Sequence, residues 1–221
     1  MKSTQFAEFM TTKVLPSLSL LEAEVQNSML KLLGEVCMFT GLHSNAKQAT
    51  ESLYKLVLET VPQQNAAENN TEDLNFIKLE SLLFAFHTMS AQAPEHLADN
   101  PDLQKEFKAG MQYFALTIQA YTRKLDEFIR GKNRLELNKE ENKKKMTAHR
   151  SAKNISSIIK DLFHSPPSYK AKIIVSWRPQ NDKVKSTHFF LLTCTVFRQT
   201  QYNCIAGNRQ VNIIYWRSNL Q

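Results

Sequence analysis

The sequence predicts an all-α protein of stacked antiparallel helices, and three observations carry that prediction. Five glycines and seven prolines in 221 residues leave few of the residues that build tight turns and phosphate-cradling loops, which disfavours β-sandwiches, Rossmann folds and P-loop enzymes. Leu, Lys, Ala, Glu, Gln and Met dominate, and these lose little rotamer freedom in a helix. Apolar residues recur at three- and four-residue steps through most of the first 165 positions. A chain of this length buries a core without staples. Its three cysteines, Cys37, Cys194 and Cys204, form no C-x-x-C pair and so encode neither a disulfide framework nor a zinc ribbon.

A first helix is expected from about Thr4 to Leu15, ended by Pro16. The second starts near Glu22 and carries Val25, Met29, Leu32, Leu33, Val36 and Phe39 on one face before Gly41, read as a left-handed cap. Ser44 is expected to cap a third, in which Ala49, Leu53, Leu56, Val57 and Val61 repeat until Pro62. The polar run QQNAAENN at 63–70 reads as a flexible connection, and Thr71 as the start of a fourth helix. Leu74, Ile77, Leu79, Leu82, Leu83, Phe86 and Met89 wrap more than one stripe of that helix, which places it between two neighbours.

Asn100-Pro101-Asp102 combines a cap residue, a proline suited to the first helical position and an acid favoured by the helix dipole, and it opens a long helix to about Arg130. The last long helix is expected from Asn138, with Glu141 completing a capping box, to the stop at Ser165-Pro166-Pro167. Its seam is Ala148, Ala152, Ile155, Ile159 and Leu162. Tyr169 to Trp177 alternates like an extended segment. The expected organisation is a helical domain over 1–165, an extended Pro-containing segment over 166–180, and an atypical end over 181–221. That end reads either as a β-hairpin or, as we prefer, as a disordered tail of the kind alternative splicing or a misread exon produces.

Phe107, Met111, Phe114, Ile118, Tyr121, Leu125 and Phe128 step by four and three along the long helix, a coiled-coil-like seam. It reads as a dimerisation zipper or as packing inside a helical stack. Phe107, Phe114, Tyr121 and Phe128 share one heptad position, where rings crowd a two-stranded interface, so the stack and a monomer are preferred. Charge is unevenly spread: residues 1–100 carry net −6, 123–153 net +6 and 154–221 net +7. Lys143, Lys144, Lys145, Arg150 and Lys153 are the candidate surface for an anionic partner such as nucleic acid, weighed against an ordinary solvated helix face. There is no P-loop, G-x-G-x-x-G or G-x-S-x-G, and the six histidines form no H-x-x-x-H. The expectation is a protein that is not an enzyme, holds no cofactor or metal, and has no run long enough to cross a membrane.

The stretch Glu140 to Pro179, EENKKKMTAHRSAKNISSIIKDLFHSPPSYKAKIIVSWRP, resembles the C-terminal helical region of the apoptosis inhibitor 5 family, also called antiapoptosis clone 11. LKLLGEVCMFTG from Leu30, LESLLFAFH from Leu79 and MQYFA from Met111 agree in the same order, so the resemblance covers roughly 3–179. It implies a HEAT- or armadillo-like α-solenoid, a non-enzymatic nuclear scaffold with the cytoplasm left open as a second location, and negative regulation of apoptosis. Acinus, fibroblast growth factor 2 and RNA helicases of messenger-RNA export are the partners it implies. The family's zipper positions fall on Gln104, Met111, Ile118 and Leu125, with leucine kept only at the last. Only the second half of the family architecture is matched, and 181–221 resembles neither its basic import segment nor its Arg/Gly-rich tail. A basic helical nucleic-acid-binding module and a truncated, non-functional isoform are the alternatives.

Overall fold

The computed structural model describes residues 3–41, 45–62 and 74–178. The chain divides into two units, Met1–Arg178 and Pro179–Gln221. The readings made for Ser44, the 63–70 connection, Thr71 and 181–221 lie outside the described residues.

Helix α1 is Ser3–Phe9 and continues without a break into a π-helical turn, Met10–Val14, and a 3-10 turn, Leu15–Leu20. Pro16 therefore does not stop the chain's winding. It sits in the first turn of the 3-10 segment, where its missing N–H has no partner to lose. Helix α2 is Ala23–Cys37 and α3 is Ala46–Thr60. Gly41 is not a left-handed cap, since no described glycine has positive φ. Instead Thr40 Oγ1 donates to the Cys37 carbonyl at 2.7 Å, and Phe39, expected on the buried face, lies past the helix end and is 68 % exposed.

Helix α4, Phe76–Ser90, is capped by Asn75, whose side chain accepts from Lys78 N at 3.0 Å. A short α5, Glu95–Ala98, leads to α6, Pro101–Arg130. The expected ends of α6 hold, but the Asn100 amide donates to the His96 carbonyl rather than capping. The capping box expected at Asn138 occurs one element earlier: Asn133 Oδ1 accepts from Glu136 N and Glu136 Oε2 from Asn133 N, opening the one-turn α7, Arg134–Leu137. Helix α8 is Glu140–Phe163.

Contacts between helices define a two-layer stack. Gln26 meets Lys78 and Gly34 meets Phe84, so α2 and α4 run parallel. Glu80 meets Ser151 and His87 meets Asp161, so α4 and α8 run parallel too. In the other layer Tyr54 bonds Leu103 and Glu106 while Leu58 faces Gly110, which makes α3 and α6 parallel. Gln104 against His164 and Asp126 against His149 make α6 and α8 an antiparallel pair. The arrangement is an all-α, solenoid-like stack in which α2, α4 and α8 form one layer and α3 and α6 the other. Helix α4 lies at its centre and is buried on every side, as its all-round apolar sequence predicts.

Residues 164–178 form an extended strap laid antiparallel along α8 and over α4. The compact unit Met1–Arg178 therefore includes this strap as well as the helices.

Candidate interaction site

The zipper positions do not form a surface. Met111 and Ile118 are fully buried and Leu125 is 6 % exposed, all within the monomer. Phe107 and Phe114 of the same stripe are fully buried, and Tyr121 stacks on Phe76 with centroids 4.6 Å apart. Phe107 packs against the rings of Tyr54 and Phe86, at 6.0 and 5.6 Å between centroids, so rings of the stripe meet other rings, and α8 buries Ala152, Ile155 and Ile159. Gln104 instead fixes the start of the strap, its amide donating to the His164 carbonyl at 2.6 Å and its Oε1 accepting from Ser165.

The five basic residues are also separated. At about 100° per residue, positions 143, 144 and 145 spread over a little more than half a turn of α8. Lys143 pairs with Glu140, and Lys145 lies over the Phe128 ring at 4.5 Å, sharing it with Lys132 at 4.7 Å. Lys153 pairs with Asp126 at 3.1 Å, and Arg150 donates to the Arg178 carbonyl. Asp126 also meets His149 at 2.8 Å, and these two contacts hold its carboxyl below the usual range. Lys144 is exposed. The set serves helix pairing as much as any outside partner.

What the sequence did not disclose is how the strap is held. Three carboxylates, one from each helix of its layer, receive its donors. Asp161 Oδ2 accepts from Ala171 N at 2.8 Å and contacts His87 Nε2 at 3.0 Å. Burial opposes ionisation of Asp161, yet the Ala171 N–H and the His87 contact leave its carboxyl below the ordinary value. Burial pushes His87 below its ordinary value despite the carboxylate, so near neutral pH the pair is a neutral imidazole donating to an anion. Glu80 is fully buried and accepts from Ser151 Oγ, Asn154 Nδ2 and both the N–H and hydroxyl of Ser176. Glu35 accepts from Trp177 Nε1 at 3.1 Å and from the Arg178 guanidinium, with Nε at 2.8 Å. A carboxylate inside an apolar helix, such as Glu80 between Leu79 and Leu82, was the available signal, because a buried charge must find donors.

With its inner edge held this way, the strap turns Lys170, Lys172 and Ile174 outward and buries Val175. Two open cavities lie elsewhere. One, of about 320 Å³, is lined by Leu15, Pro16, Leu18, Leu56 and Lys78 among others; the second, of about 280 Å³, by Lys47, Glu51, Tyr54, Lys55, His96, Asn100 and Leu103. Cys37 is fully buried and its thiol is pushed up to about 12 by burial, which keeps it protonated. Among the described residues no group of His, Cys, Asp and Glu is placed to hold a metal ion, and no helix is long and apolar enough to cross a membrane.

The sequence profile of the family described as Apoptosis inhibitory protein 5 matches residues 1–212. The chain belongs to that family. Apoptosis inhibitor 5-B of Xenopus laevis is 39 % identical over 191 residues, covering 80 % of this chain and 36 % of the relative. The Drosophila melanogaster apoptosis inhibitor 5 homolog is 34 % identical over 201 residues, 85 % and 38 % of the two chains. Human apoptosis inhibitor 5 is 36 % identical over 191 residues, 80 % and 36 %. The chain thus matches little more than a third of the length of these apoptosis inhibitor 5 relatives. The family match extends past Pro179, where the resemblance read from the residues ends.

Proposed function

We propose that this chain is a non-enzymatic protein-protein interaction scaffold acting in the nucleus as a monomer in the negative regulation of apoptosis. The observation that supports the reading best is the similarity, over about four fifths of the chain, to proteins named apoptosis inhibitors in frog, fly and human. The geometry agrees with it. The zipper stripe is spent on the monomer core, and the buried carboxylates Glu35, Glu80 and Asp161 are spent on holding the strap. A stack of parallel helix layers presents extended outer surfaces, which is how helical-repeat proteins engage partners. Acinus, fibroblast growth factor 2 and RNA helicases of messenger-RNA export are the proposed partner classes.

The test is a pull-down from nuclear extract with and without nuclease, paired with caspase activation in cells expressing the chain under an apoptotic stimulus. Nuclease-resistant protein partners and lowered caspase activation are expected. Loss of every partner on nuclease treatment, or unchanged caspase activation, overturns the reading.

A further inference from the structure

We propose that the outer face of the strap and the adjoining end of α8 form a surface for the sugar-phosphate backbone of single-stranded nucleic acid, built by Lys160, Lys170 and Lys172. The strap brings these residues together. Asp161 takes the Ala171 N–H at 2.8 Å, so Lys160 of the helix and Lys170 and Lys172 of the strap flank one contact. All three are exposed, and no carboxylate among the described residues pairs with them. Glu35, Glu80 and Asp161 lie beneath the strap and are occupied by its own donors, and the exposed Glu95 of α5 lies on the Tyr169 side.

Spacing and surroundings favour a phosphate backbone. In an extended segment alternate residues point the same way about 6.6 Å apart, of the order of the step between successive phosphates of an extended strand. Lys153, two turns along α8 from Lys160, is held by Asp126 at 3.1 Å and lies outside the patch. The neighbouring aromatic groups are turned inward: Trp177 donates to Glu35 and Tyr169 stands edge-on to His87. No base-stacking platform is offered there, so binding is sequence-independent and electrostatic. Acidic peptides are typically gripped by arginine forks or by a buried anchor side chain, and the patch is built of lysines alone. The strap offers Ile174, which projects outward at 67 % exposure, and the two cavities described above are lined by other elements.

The test is fluorescence anisotropy of a labelled 20-nucleotide oligouridine with the full chain across a salt series. Wild-type affinity should fall steeply with salt. The triple variant Lys160→Gln, Lys170→Gln, Lys172→Gln should flatten the log-log salt slope by about 2, at 0.7 per phosphate contact, with an unchanged melting temperature. The triple Lys143→Gln, Lys144→Gln, Lys145→Gln should change it by less than half as much. No binding at low salt overturns the proposal, as do equal effects of the two triples. Polyglutamate that displaces the oligouridine at matched charge, with the same dependence on the three lysines, overturns it in favour of an acidic peptide. None of these results touches nuclease-resistant protein partners, so the scaffold reading stands or falls separately.

Discussion

Replacing Glu80 with alanine should release the second half of the strap while the helices stay folded. The carboxylate is fully buried and accepts four hydrogen bonds, but their loss is unequal. Ser151 and Ser176 hydroxyls still bond each other at 2.8 Å, and Asn154 keeps the Ile174 carbonyl at 2.8 Å. The Ser176 N–H has no second partner among the described residues, and a stranded buried donor costs about 1–3 kcal/mol. Adding the cavity left by the side chain gives a loss of about 3 kcal/mol, close to a hundredfold in the local opening equilibrium. Native-state hydrogen exchange should show the Ser176 amide losing that protection while Ala171, held separately by Asp161, keeps its own. Glu80→Gln should cost only about 1 kcal/mol, because one amide oxygen still accepts and the hydroxyls can turn to accept from the new NH2. If Ser176 and Ala171 open together with the amides of α4, the strap is not clamped at separate points and the reasoning fails.

Three further outcomes are expected. His87 and His96 are both held below the ordinary histidine value of 6.5, burial being the largest cause, so the unfolded chain binds more protons and stability should fall as pH drops below 6.5. A second loss should follow below the ordinary carboxylate value of 3.8, as Asp161 becomes protonated. Neither ring nitrogen of His96 has a hydrogen-bond partner among the described residues, and His96→Phe should flatten the first arm in a denaturant series across pH; an unchanged arm would absolve His96. The glycine pair should split in sign: Gly110→Ala should add about 0.5–1 kcal/mol, since its Cβ meets only the movable end of Leu58, whereas Gly34→Ala should destabilise by about 1 kcal/mol. At Gly34 the new Cβ presses on Phe84, a 5 % exposed ring held edge-on by Trp177, and chemical melts of both variants decide.

Periodicity made the long helices legible. The N-terminal signal at Pro101, the end at Arg130 and the all-round burial of α4 follow from residue pattern, because a helix with no polar face has to be surrounded. Caps were less legible, since several residues competed for each. Asn138 and Asn133 both look like caps and each has a glutamate three residues on, Glu141 and Glu136, so the pattern alone does not choose; the structure pairs Asn133 with Glu136. The strap was seen only as an alternating segment. Its attachment depends on Glu35, Glu80 and Asp161, which are far apart in sequence and look like the solvated charges of three separate helices. The basic candidates Lys143, Lys144 and Lys145 are neighbours in sequence that the helical turn points in different directions around α8.

The central claim is that the aromatic and aliphatic stripe of α6 is core and not a zipper, leaving a monomeric stack free to bind partners with its outer surfaces. Sedimentation velocity over a wide concentration range, run with thermal melts on wild type and Phe114→Ala, tests it most directly. Phe114 is fully buried, so the account predicts one monomeric species for both proteins at every concentration and a loss of about 3–5 kcal/mol in the variant's melt. A wild-type dimer that Phe114→Ala dissociates into monomers of unchanged thermal stability would contradict it.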